Sequence, residues 1–336
     1  MRVLLIKTSS MGDVIHSLPA LTDAQRAIPG IRFDWVVEEG FTDIPAWHPA
    51  VDKIIPVAIR RWRKNLWRTW RSGEYRAFKH RLKQQQYDLV LDAQGLIKSA
   101  WLTRGLSAPV AGLDRASARE PLASLFYDCR YSVNPQLHAV ERVRLLFAQA
   151  LGYPKPDTVG DYGLDRQQIA QQYAEVPVES YMMFVHGTTW PSKHWPETHW
   201  RALAEYCNAQ GRTVLLPWGN AEEQQRAERI AAELPLVKVL PKLSIAQVAS
   251  YLAGATACIA VDTGLGHLTA ALATPCVSLY GPTRPEHIGA YGRDQIHLCA
   301  TGPHAGKGDK EQPCFDGLGP EQVIQALVHL ENREDC

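Results

Sequence analysis

The stretch R-V-L-L-I-K-T-S-S-M-G-D, residues 2–13, begins as a short apolar strand and ends in hydroxyls, a glycine and a carboxylate. A helical pattern follows it, and the same order of strand, polar turn and helix recurs along the chain. Such alternation is typical of βαβ units that build parallel sheets. Ligands of these sheets bind beyond the carboxyl ends of the strands, so the polar residues that follow each strand are the candidate functional residues.

The predicted strands fall into an N-terminal and a C-terminal group. The first group comprises residues 2–7, 33–38, 53–57, 87–92 and 110–113, with helical patterns at residues 13–28 and 76–85. The second group comprises residues 181–186, 213–217, 237–240, 258–261 and 276–280. We therefore expect an α/β protein with two open, parallel-sheet domains.

The length of 336 residues also suggests two domains, at a prior of roughly 150 residues each. Between the two groups of strands, Pro154, Pro156 and Pro177 lie among polar residues, a composition that favours an extended connector. We predict a first domain over residues 1–155, a linker over 156–178 and a second domain over 179–336. We assign the last helix to the second domain. Alternatively, this helix packs back on the first domain.

Composition excludes several classes of protein. Apolar residues make up 46% and the formal net charge is +1, values of a globular protein without bulk attraction to nucleic acid. The apolar run at residues 3–6 stops at Lys7, too short for a signal peptide, so we expect a cytoplasmic protein. The seven cysteines form no C-x-x-C pair, and we expect reduced thiols.

Asp13 ends the polar turn after the first predicted strand. Ser10 and Asp13 each suit the N-cap of the following helix, and Gly12 suits the turn itself. A carboxylate on a rigid strand end can also accept a proton from a substrate hydroxyl within hydrogen-bond reach. From these residues alone, Asp13 is either a helix cap or a general base.

A second turn, D-T-G-L-G-H at residues 262–267, follows the strand that ends at residue 261. Glycines let main-chain N–H groups approach an anion closely, and a helix N-terminus adds about half a positive charge. We place the next helix at residues 268–273 and predict a phosphate site in this turn. Alternatively, Asp262 and Thr263 only cap that helix and His267 is a buried core residue.

Two further turns in the second half carry polar residues. Thr188, Thr189 and Lys193 follow the strand ending at residue 186 and suit a diphosphate, whose leaving oxygen Lys193 would neutralise. An ordinary solvated lysine is the alternative. Glu223 follows the strand at residues 213–217, where it either accepts hydrogen bonds from ribose hydroxyls or only favours the helix N-terminus.

A basic cluster occupies residues 60–71, and no acidic residue occurs between residues 57 and 72. Its members are Arg60, Arg61, Arg63, Lys64, Arg68 and Arg71, interleaved with Trp62, Trp67 and Trp70. A solvated helix face is the usual meaning of such a run, but the tryptophans favour a phosphorylated, amphipathic partner at a membrane surface. Nucleic acid is a further alternative, against which the near-neutral total charge argues.

The chain resembles the bacterial lipopolysaccharide heptosyltransferases over nearly its whole length. The motifs that carry the resemblance are K-T-S-S-M-G-D at residues 7–13, V-E-E-G-F at 37–41, R-R-W-R-K at 60–64, A-R-E-P-L-A-S-L-F-Y at 118–127, K-H-W-P-E at 193–197, P-W-G at 217–219 and D-T-G at 262–264. Gly266 departs from the family, which more often has a larger small residue there.

The resemblance implies a GT-B architecture, two Rossmann-like domains facing across a cleft, and inverting transfer of heptose from ADP-L-glycero-D-manno-heptose to Kdo-lipid A. It implies that Asp13 is the catalytic base and that Lys193 assists departure of the diphosphate. The implied donor ligands are Ser10, Gly12, Thr188, Thr189, Trp218, Glu223, Asp262, Thr263, Gly264 and His267. The implied acceptor ligands are Arg60, Arg61, Arg63, Lys64 and Arg119.

The sequence contains no Asp-x-Asp pair that could hold a divalent ion on a diphosphate, so we expect Lys193 and helix N-termini to replace the metal. No other cofactor and no nucleic-acid partner are expected. Because the implied acceptor, Kdo-lipid A, is a lipid, we expect the protein to act at the cytoplasmic face of the inner membrane. Two alternatives remain: a related transferase of heptosyltransferase II type with another core acceptor, and a non-catalytic nucleotide- or carbohydrate-binding module.

Overall fold

The computed structural model describes residues 1–173, 175–177, 179–303, 305–307, 311 and 314–334. It divides into two compact units, Met1–Leu164 and Asp165–Cys336. The division falls within the residues expected to form a linker. That segment is not extended throughout, because Arg166–Gln171 forms a helix whose first turn is capped by the Asp165 carboxylate.

A six-stranded parallel sheet forms the centre of the first unit. Its strands are β1 (Arg2–Ile6), β2 (Arg32–Glu38), β3 (Val51–Val57), β4 (Leu89–Asp92), β5 (Val110–Leu113) and β6 (Cys129–Tyr131), in the order β3-β2-β1-β4-β5-β6. The α-helices are α1 (Met11–Ile15), α2 (Leu18–Ala27), α3 (Asp43–Ala46), α4 (Ile59–Lys64), α5 (Leu66–Ser72), α6 (Glu74–Lys83), α7 (Ile97–Thr103) and α8 (Ala139–Leu151). Two 3₁₀ helices, η1 (Glu39–Phe41) and η2 (Pro121–Phe126), complete the unit.

The second unit repeats this architecture. Its strands are β7 (Tyr181–Val185), β8 (Thr213–Leu216), β9 (Val237–Val239), β10 (Ala257–Val261), β11 (Cys276–Tyr280) and β12 (Gln295–Cys299), in the order β12-β11-β10-β7-β8-β9. The α-helices are α9 (Arg166–Gln171), α10 (Glu197–Ala209), α11 (Ala221–Ala231), α12 (Ile245–Gly254), α13 (Gly264–Ala271), α14 (Pro285–Ile288) and α15 (Pro320–Glu334). A 3₁₀ helix, η3 (Pro191–Lys193), follows β7. No described helix is long and apolar enough to cross a membrane.

Each sheet has one point where the strand order reverses. In the first unit the chain proceeds from β1 to β3 on one side and then returns to place β4 beside β1. In the second unit β10 returns beside β7 in the same way. Ligands of open α/β sheets bind at such switch points, so the turns after β1, β4, β7 and β10 are the expected ligand-binding turns.

Burial explains why most strands could be predicted. All five residues of β7, β10 and β11 are buried, and such strands appear in sequence as continuous apolar runs. The last helix, α15, packs on α10 and β11 of the second unit, with Val323 and Leu327 fully buried there. The sequence prediction missed β6 and β12, because both lie at sheet edges and are only partly buried, without an apolar run.

Two helix predictions were wrong in their limits. Residues 13–28 form two helices, α1 and α2, which meet at His16 and Ser17. The helix after β10 begins at Gly264 rather than at residue 268, because its glycines adopt helical geometry with Thr263 as the N-cap. Gly264 and Gly266 therefore lie in the first turn of α13.

Candidate functional site

Asp13 is the third residue of α1, where it closes the turn that follows β1. Its Oδ2 atom accepts hydrogen bonds from the Ser10 N–H and the Ser10 hydroxyl, each at 2.8 Å. Its Oδ1 atom lies 3.8 Å from Lys7 Nζ, and 35% of the side chain is exposed. One carboxylate oxygen therefore caps the helix while the side chain stays accessible to a ligand, so the two interpretations of Asp13 are compatible.

The charges around Asp13 keep it ionised. Burial raises the pKa of the carboxyl, but the Lys7 ammonium, the Ser10 hydrogen bonds and the Arg119 guanidinium together outweigh burial and hold the pKa below its usual value. The buried Lys7 ammonium donates to the main-chain oxygen of Ala93 at 3.0 Å. Asp13 is consequently a carboxylate at neutral pH. Its lowered pKa also makes it a weaker base than a catalytic group whose pKa lies near 7.

Residues after β4 hold the Asp13 turn in place. Gln94 Oε1 accepts hydrogen bonds from the N–H groups of Thr8 at 2.9 Å and Ser9 at 3.2 Å. The Asp92 carboxylate in turn accepts the Gln94 N–H at 2.8 Å. Lys98 Nζ lies 3.4 Å from Ser9 Oγ. The turns after β1 and β4 thus form one hydrogen-bonded unit at the switch point of the first sheet.

Four residues around Asp13 were not predicted from the sequence as site residues: Lys7, Gln94, Lys98 and Arg142. Arg142 on α8 is near enough to Asp13 for that carboxylate to raise the pKa of its guanidinium, although burial lowers it more. The available signal was the polar run D-A-Q-G at residues 92–95, which follows a buried strand. These residues lie near Asp13 only because β4 pairs with β1. The order of the strands along the sequence does not show which strands pair.

The basic cluster is partly neutralised by acids from other elements. The Arg61 guanidinium bonds to Glu39 at 3.1 Å and to Glu74 at 2.8 Å. The Arg60 guanidinium carbon lies 5.2 Å from the centre of the Phe41 ring, and the main-chain N–H of Arg60 donates to Glu38 Oε1 at 2.9 Å. Although residues 57–72 contain no acid, Arg61 is therefore neutralised by acidic partners that are distant in sequence.

The tryptophans of the cluster differ in burial. Trp62 is only 9% exposed and donates its indole N–H to Glu74 at 2.8 Å, so it belongs to the core. Trp67 is 69% exposed. The side chains of Arg68 and Trp70 lie outside the described residues. Arg63 and Lys64 are exposed and each lines a surface cavity. Arg119 is exposed as well, and its charge acts on Asp13.

In the second unit, Asp262 at the end of β10 is the centre of a polar cluster. Its Oδ2 atom lies 2.7 Å from Lys193 Nζ and accepts a hydrogen bond from Thr283 Oγ1 at 2.6 Å. His267 Nε2 lies 3.8 Å from Asp262 Oδ1. Burial raises the pKa of Asp262, but the charges of Lys193 and His267 outweigh it and lower the pKa. Asp262 thus anchors Lys193 instead of capping α13.

The turn after β7 joins this cluster. Thr188 Oγ1 donates to the main-chain oxygen of Asp262 at 3.1 Å, which ties the turns after β7 and β10 together. Lys193 Nζ lies 4.4 Å from the centre of the Trp190 ring. Thr189 is exposed. Lys193 is therefore held beside the N-terminus of α13 by its ion pair with Asp262 and is not freely solvated.

Glu223 lies close to Gly187 at the carboxyl edge of the same sheet. Its Oε2 atom accepts the Gly219 N–H at 2.7 Å, and a Cβ atom on Gly187 would come within 2.7 Å of Glu223 Cδ. Asn220 caps α11, because its side chain accepts the Glu223 N–H at 3.0 Å, and Glu223 lies in the first turn of that helix. Trp218 is held by a hydrogen bond from its indole N–H to Leu240 O at 2.7 Å. Glu223 is thus placed beside the turn after β7.

Two groups of predicted residues therefore assemble, one in each unit. In the first unit Ser10, Gly12 and Asp13 share one turn with α1. In the second unit the structure brings together Thr188, Lys193, Asp262, Thr263, Gly264 and His267. Thr283, which was not predicted from the sequence, donates to Asp262 from the turn after β11. The described residues contain no cluster of three or more His, Cys, Asp or Glu side chains arranged to hold a metal ion.

The chain is similar to proteins of known family. A family model described as glycosyltransferase family 9 (heptosyltransferase) matches residues 75–315. A Pseudomonas aeruginosa protein named Lipopolysaccharide heptosyltransferase 1 is 61% identical, with 97% of each chain covered. An Escherichia coli (strain K12) protein of the same name is 54% identical, over 88% of this chain and 92% of that protein.

Solved structures agree with this similarity. The structure described as E. coli heptosyltransferase WaaC with ADP has a TM-score of 0.89 and 50% identity, covering 98% of this chain and 100% of that one. The same enzyme with ADP-2-deoxy-2-fluoro heptose has a TM-score of 0.86 and 49% identity, covering 98% and 99%. The predicted α/β fold of GT-B type and the predicted family are confirmed. The chain belongs to glycosyltransferase family 9, the heptosyltransferases.

Proposed function

We propose that this glycosyltransferase moves L-glycero-D-manno-heptose from ADP-heptose to a Kdo residue of Kdo-lipid A, with inversion at the anomeric carbon. The observation that carries the proposal is the Lys193–Asp262 pair at the start of α13. The pair fixes the Lys193 ammonium beside the main-chain N–H groups of α13. The chain is also similar to an enzyme whose structures are described with ADP and with an ADP-heptose analogue.

In this proposal the second domain holds the donor. Lys193, Thr188 and Thr189 bind the diphosphate, together with the N–H groups of Thr263 and Gly264. Lys193 and the helix N-terminus neutralise the charge that develops on the leaving ADP, a role that a divalent ion plays in other transferases. The remaining donor contacts are Trp218 and Glu223 at the nucleoside and Asp262, His267, Ser10 and Gly12 at the sugar.

The first domain binds the acceptor, and Asp13 takes the proton of the attacking Kdo hydroxyl. Arg119 is one of the cations that lower the pKa of Asp13. An acceptor carboxylate that pairs with Arg119 would offset this charge and raise the pKa of Asp13. Asp13 would then become a stronger base only when the acidic acceptor is bound. Arg60, Arg63 and Lys64 provide further positive charge for phosphate and Kdo groups. Arg61 lies beside them at the acceptor site, but Glu39 and Glu74 already offset most of its charge.

One assay tests the proposed reaction. Purified protein is incubated with ADP-heptose and Kdo-lipid A, with and without EDTA, and UDP- and GDP-sugars serve as controls. We expect transfer from ADP-heptose alone, at a rate that EDTA does not change. Absence of transfer, equal use of UDP-sugars, or loss of activity with EDTA would each contradict a part of the proposal.

Gly187→Ala is expected to weaken ADP binding about tenfold, with little change in thermal stability. The new Cβ would collide with the end of the flexible Glu223 side chain, which can move away and so lose its place at the ribose. The factor corresponds to the loss of one hydrogen bond to a charged group, about 1.5 kcal/mol. Calorimetric titration with ADP measures it.

Gly266→Ala is the matched control, since it also adds one methyl group near the donor site. Its Cβ would lie at an ordinary contact distance of 3.4 Å from Ala260 Cβ and Val261 O. Alanine favours the helix by up to about 1 kcal/mol, so the melting temperature should stay or rise and ADP affinity should not change. An unchanged ADP affinity in Gly187→Ala would show that Glu223 does not bind the ribose of ADP.

Arg63→Gln is expected to raise the KM for Kdo-lipid A roughly tenfold, whereas Arg61→Gln should change it much less. Glu39 and Glu74 already neutralise the Arg61 guanidinium, while Arg63 lines a cavity beside Lys98. Steady-state kinetics at low salt measure both values, because screening weakens exposed charge pairs. Equal effects of the two variants, or an altered KM for ADP-heptose, would contradict this assignment.

We further propose that the protein works at the cytoplasmic face of the inner membrane. Exposed apolar side chains of the first unit support contact with lipid, among them Trp67, Leu122 and Leu125. We also propose a domain division at residues 1–155 and 179–336, with residues 156–178 as the linker.

A further inference from the structure

A cavity of about 900 Å³ opens on the surface of the first unit, outside the Asp13 turn. Its volume falls within the range of roughly 300–1,000 Å³ that is common for ligand sites. Its apolar wall comes from α4, α6 and α7 and consists of Ile59, Trp62, Tyr75, Ile97, Trp101 and Leu102. Trp62 and Leu102 are buried, whereas Ile97 and Trp101 are 39% and 46% exposed, so the wall leads from the core to the surface.

Cations surround this apolar wall. Arg63, Arg76 and Lys98 line the cavity, and Glu120 is the one acid among its described lining residues. Glu120 Oε2 accepts the Ile97 N–H at 2.7 Å, so its charge is engaged at the N-terminus of α7. An apolar cavity with a net positive rim matches the two parts of an anionic amphiphile, an acyl chain and a phosphate.

Lys98 connects the cavity to the turn that carries Asp13. Its Nζ atom lies 3.4 Å from Ser9 Oγ, and Ser9 precedes the residue whose N–H binds the Asp13 carboxylate. Burial lowers the pKa of Lys98, and the nearby charges of Arg60 and Arg63 lower it further, although Glu38 and Glu120 oppose them. A phosphate at this position would relieve the repulsion among the three cations.

We propose that this cavity binds an acyl chain of the lipid acceptor, with a phosphate of the same molecule held by Lys98 and Arg63. The inference rests on the proposed function, because it assumes a lipid-linked acceptor whose sugar end reaches Asp13. The cavity then fixes the distance between the lipid anchor and the reacting hydroxyl, and the acceptor is recognised by its lipid part as well as by its sugars.

The first experiment measures binding without catalysis. Dodecyl phosphate, kept below its micelle concentration, is titrated into the full chain by calorimetry, with inorganic phosphate and octyl and decyl phosphates for comparison. We expect one saturable site, at least tenfold weaker binding of inorganic phosphate, and about threefold to fourfold tighter binding per added methylene. No saturable binding of dodecyl phosphate would overturn the proposal, whatever the enzyme's activity.

The matched variants are Ile97→Asn and Ile288→Asn, since both isoleucines are 39% exposed and Ile288 lies in the second unit. Ile97→Asn should weaken dodecyl phosphate binding at least fivefold, and Ile288→Asn should not change it. Leu125→Asn, on the exposed surface of η2, reports adsorption outside the cavity. If Leu125→Asn weakens binding as much as Ile97→Asn does, the lipid adsorbs on the outer surface and the cavity assignment is wrong.

A kinetic comparison distinguishes the acceptor from bulk membrane lipid. Ile97→Asn should raise the KM for acylated Kdo-lipid A and leave the KM for the fully deacylated acceptor unchanged. Equal increases in KM for both acceptors would overturn the acyl-chain assignment. An unchanged KM for the acylated acceptor would also overturn it and would indicate that the cavity binds a membrane phospholipid instead. If dodecyl phosphate binds as expected but no heptose is transferred, the proposed function fails and the lipid site stands.

Discussion

Asp13→Asn is expected to lower the turnover number by about 10²- to 10⁴-fold, the loss typical of a general base, while ADP affinity stays nearly unchanged. Asparagine keeps an oxygen that can accept the Ser10 N–H, so α1 should persist and only the proton-accepting carboxylate is removed. Transfer kinetics at saturating substrates and calorimetry with ADP measure the two effects. A rate within a few fold of the unmodified enzyme would show that Asp13 is only a cap.

Asp114→Asn provides the matched control for this variant. Asp114 also follows a strand, accepts main-chain N–H groups of Ala116 and Ser117, and has a pKa lowered mainly by hydrogen bonding to Ser117. It has no proposed role in transfer, so its variant should turn over normally. Because the pKa of Asp13 in the free enzyme is held below its usual value of about 3.9, Asp13 should cause no loss of kcat/KM, which reports free-enzyme pKa values, between about pH 5 and 8.

Arg144→Ala is expected to destabilise the first unit by about 3–5 kcal/mol, the range for removing one partner of a buried ion pair. The Arg144 side chain is 1% exposed and bonds at 2.7 Å to both Asp23 and Glu141. It also donates to the main-chain oxygens of Pro156 at 3.3 Å and Thr158 at 2.8 Å. Its loss would leave a buried carboxylate and connector carbonyls without their donor. Urea denaturation followed by fluorescence measures the change.

Arg26→Ala serves as the control for Arg144→Ala. Arg26 pairs with Asp161, but the two side chains are 65% and 50% exposed, and exposed pairs contribute only about 0–1 kcal/mol. The two variants each remove an arginine–aspartate pair and differ in burial. Similar destabilisation by both would mean that burial of Arg144 does not determine its contribution.

The candidate site was predictable where its residues follow a strand in sequence. Asp13, Lys193 and Asp262 follow the ends of β1, β7 and β10 by seven, eight and one residues, and ligands of parallel sheets bind at these ends. Gln94, Lys98 and Thr283 were not predictable, since each acts on a turn that belongs to a different strand. The strand order alone decides which turns become neighbours.

The basic cluster shows the same limit. Its positive charge is evident in the sequence, but the acids that neutralise Arg61 lie 22 residues before it and 13 residues after it. Trp62 and Trp67 look alike in sequence, yet one is buried against Tyr75 and Phe78 and the other is exposed. Pairing and burial depend on how η1, α4 and α6 pack together, and no local sequence pattern contains this information.

The sequence by itself determined the α/β class, ten of the strands and the turns that hold the polar residues, because apolar runs and glycine-containing turns are local properties of the chain. The tertiary structure decided that one oxygen of Asp13 caps α1 while its side chain stays accessible, and that Asp262 anchors Lys193. It also formed the apolar cavity beside Lys98. These features depend on distances between residues that are far apart in sequence, and such distances exist only after the sheets have formed.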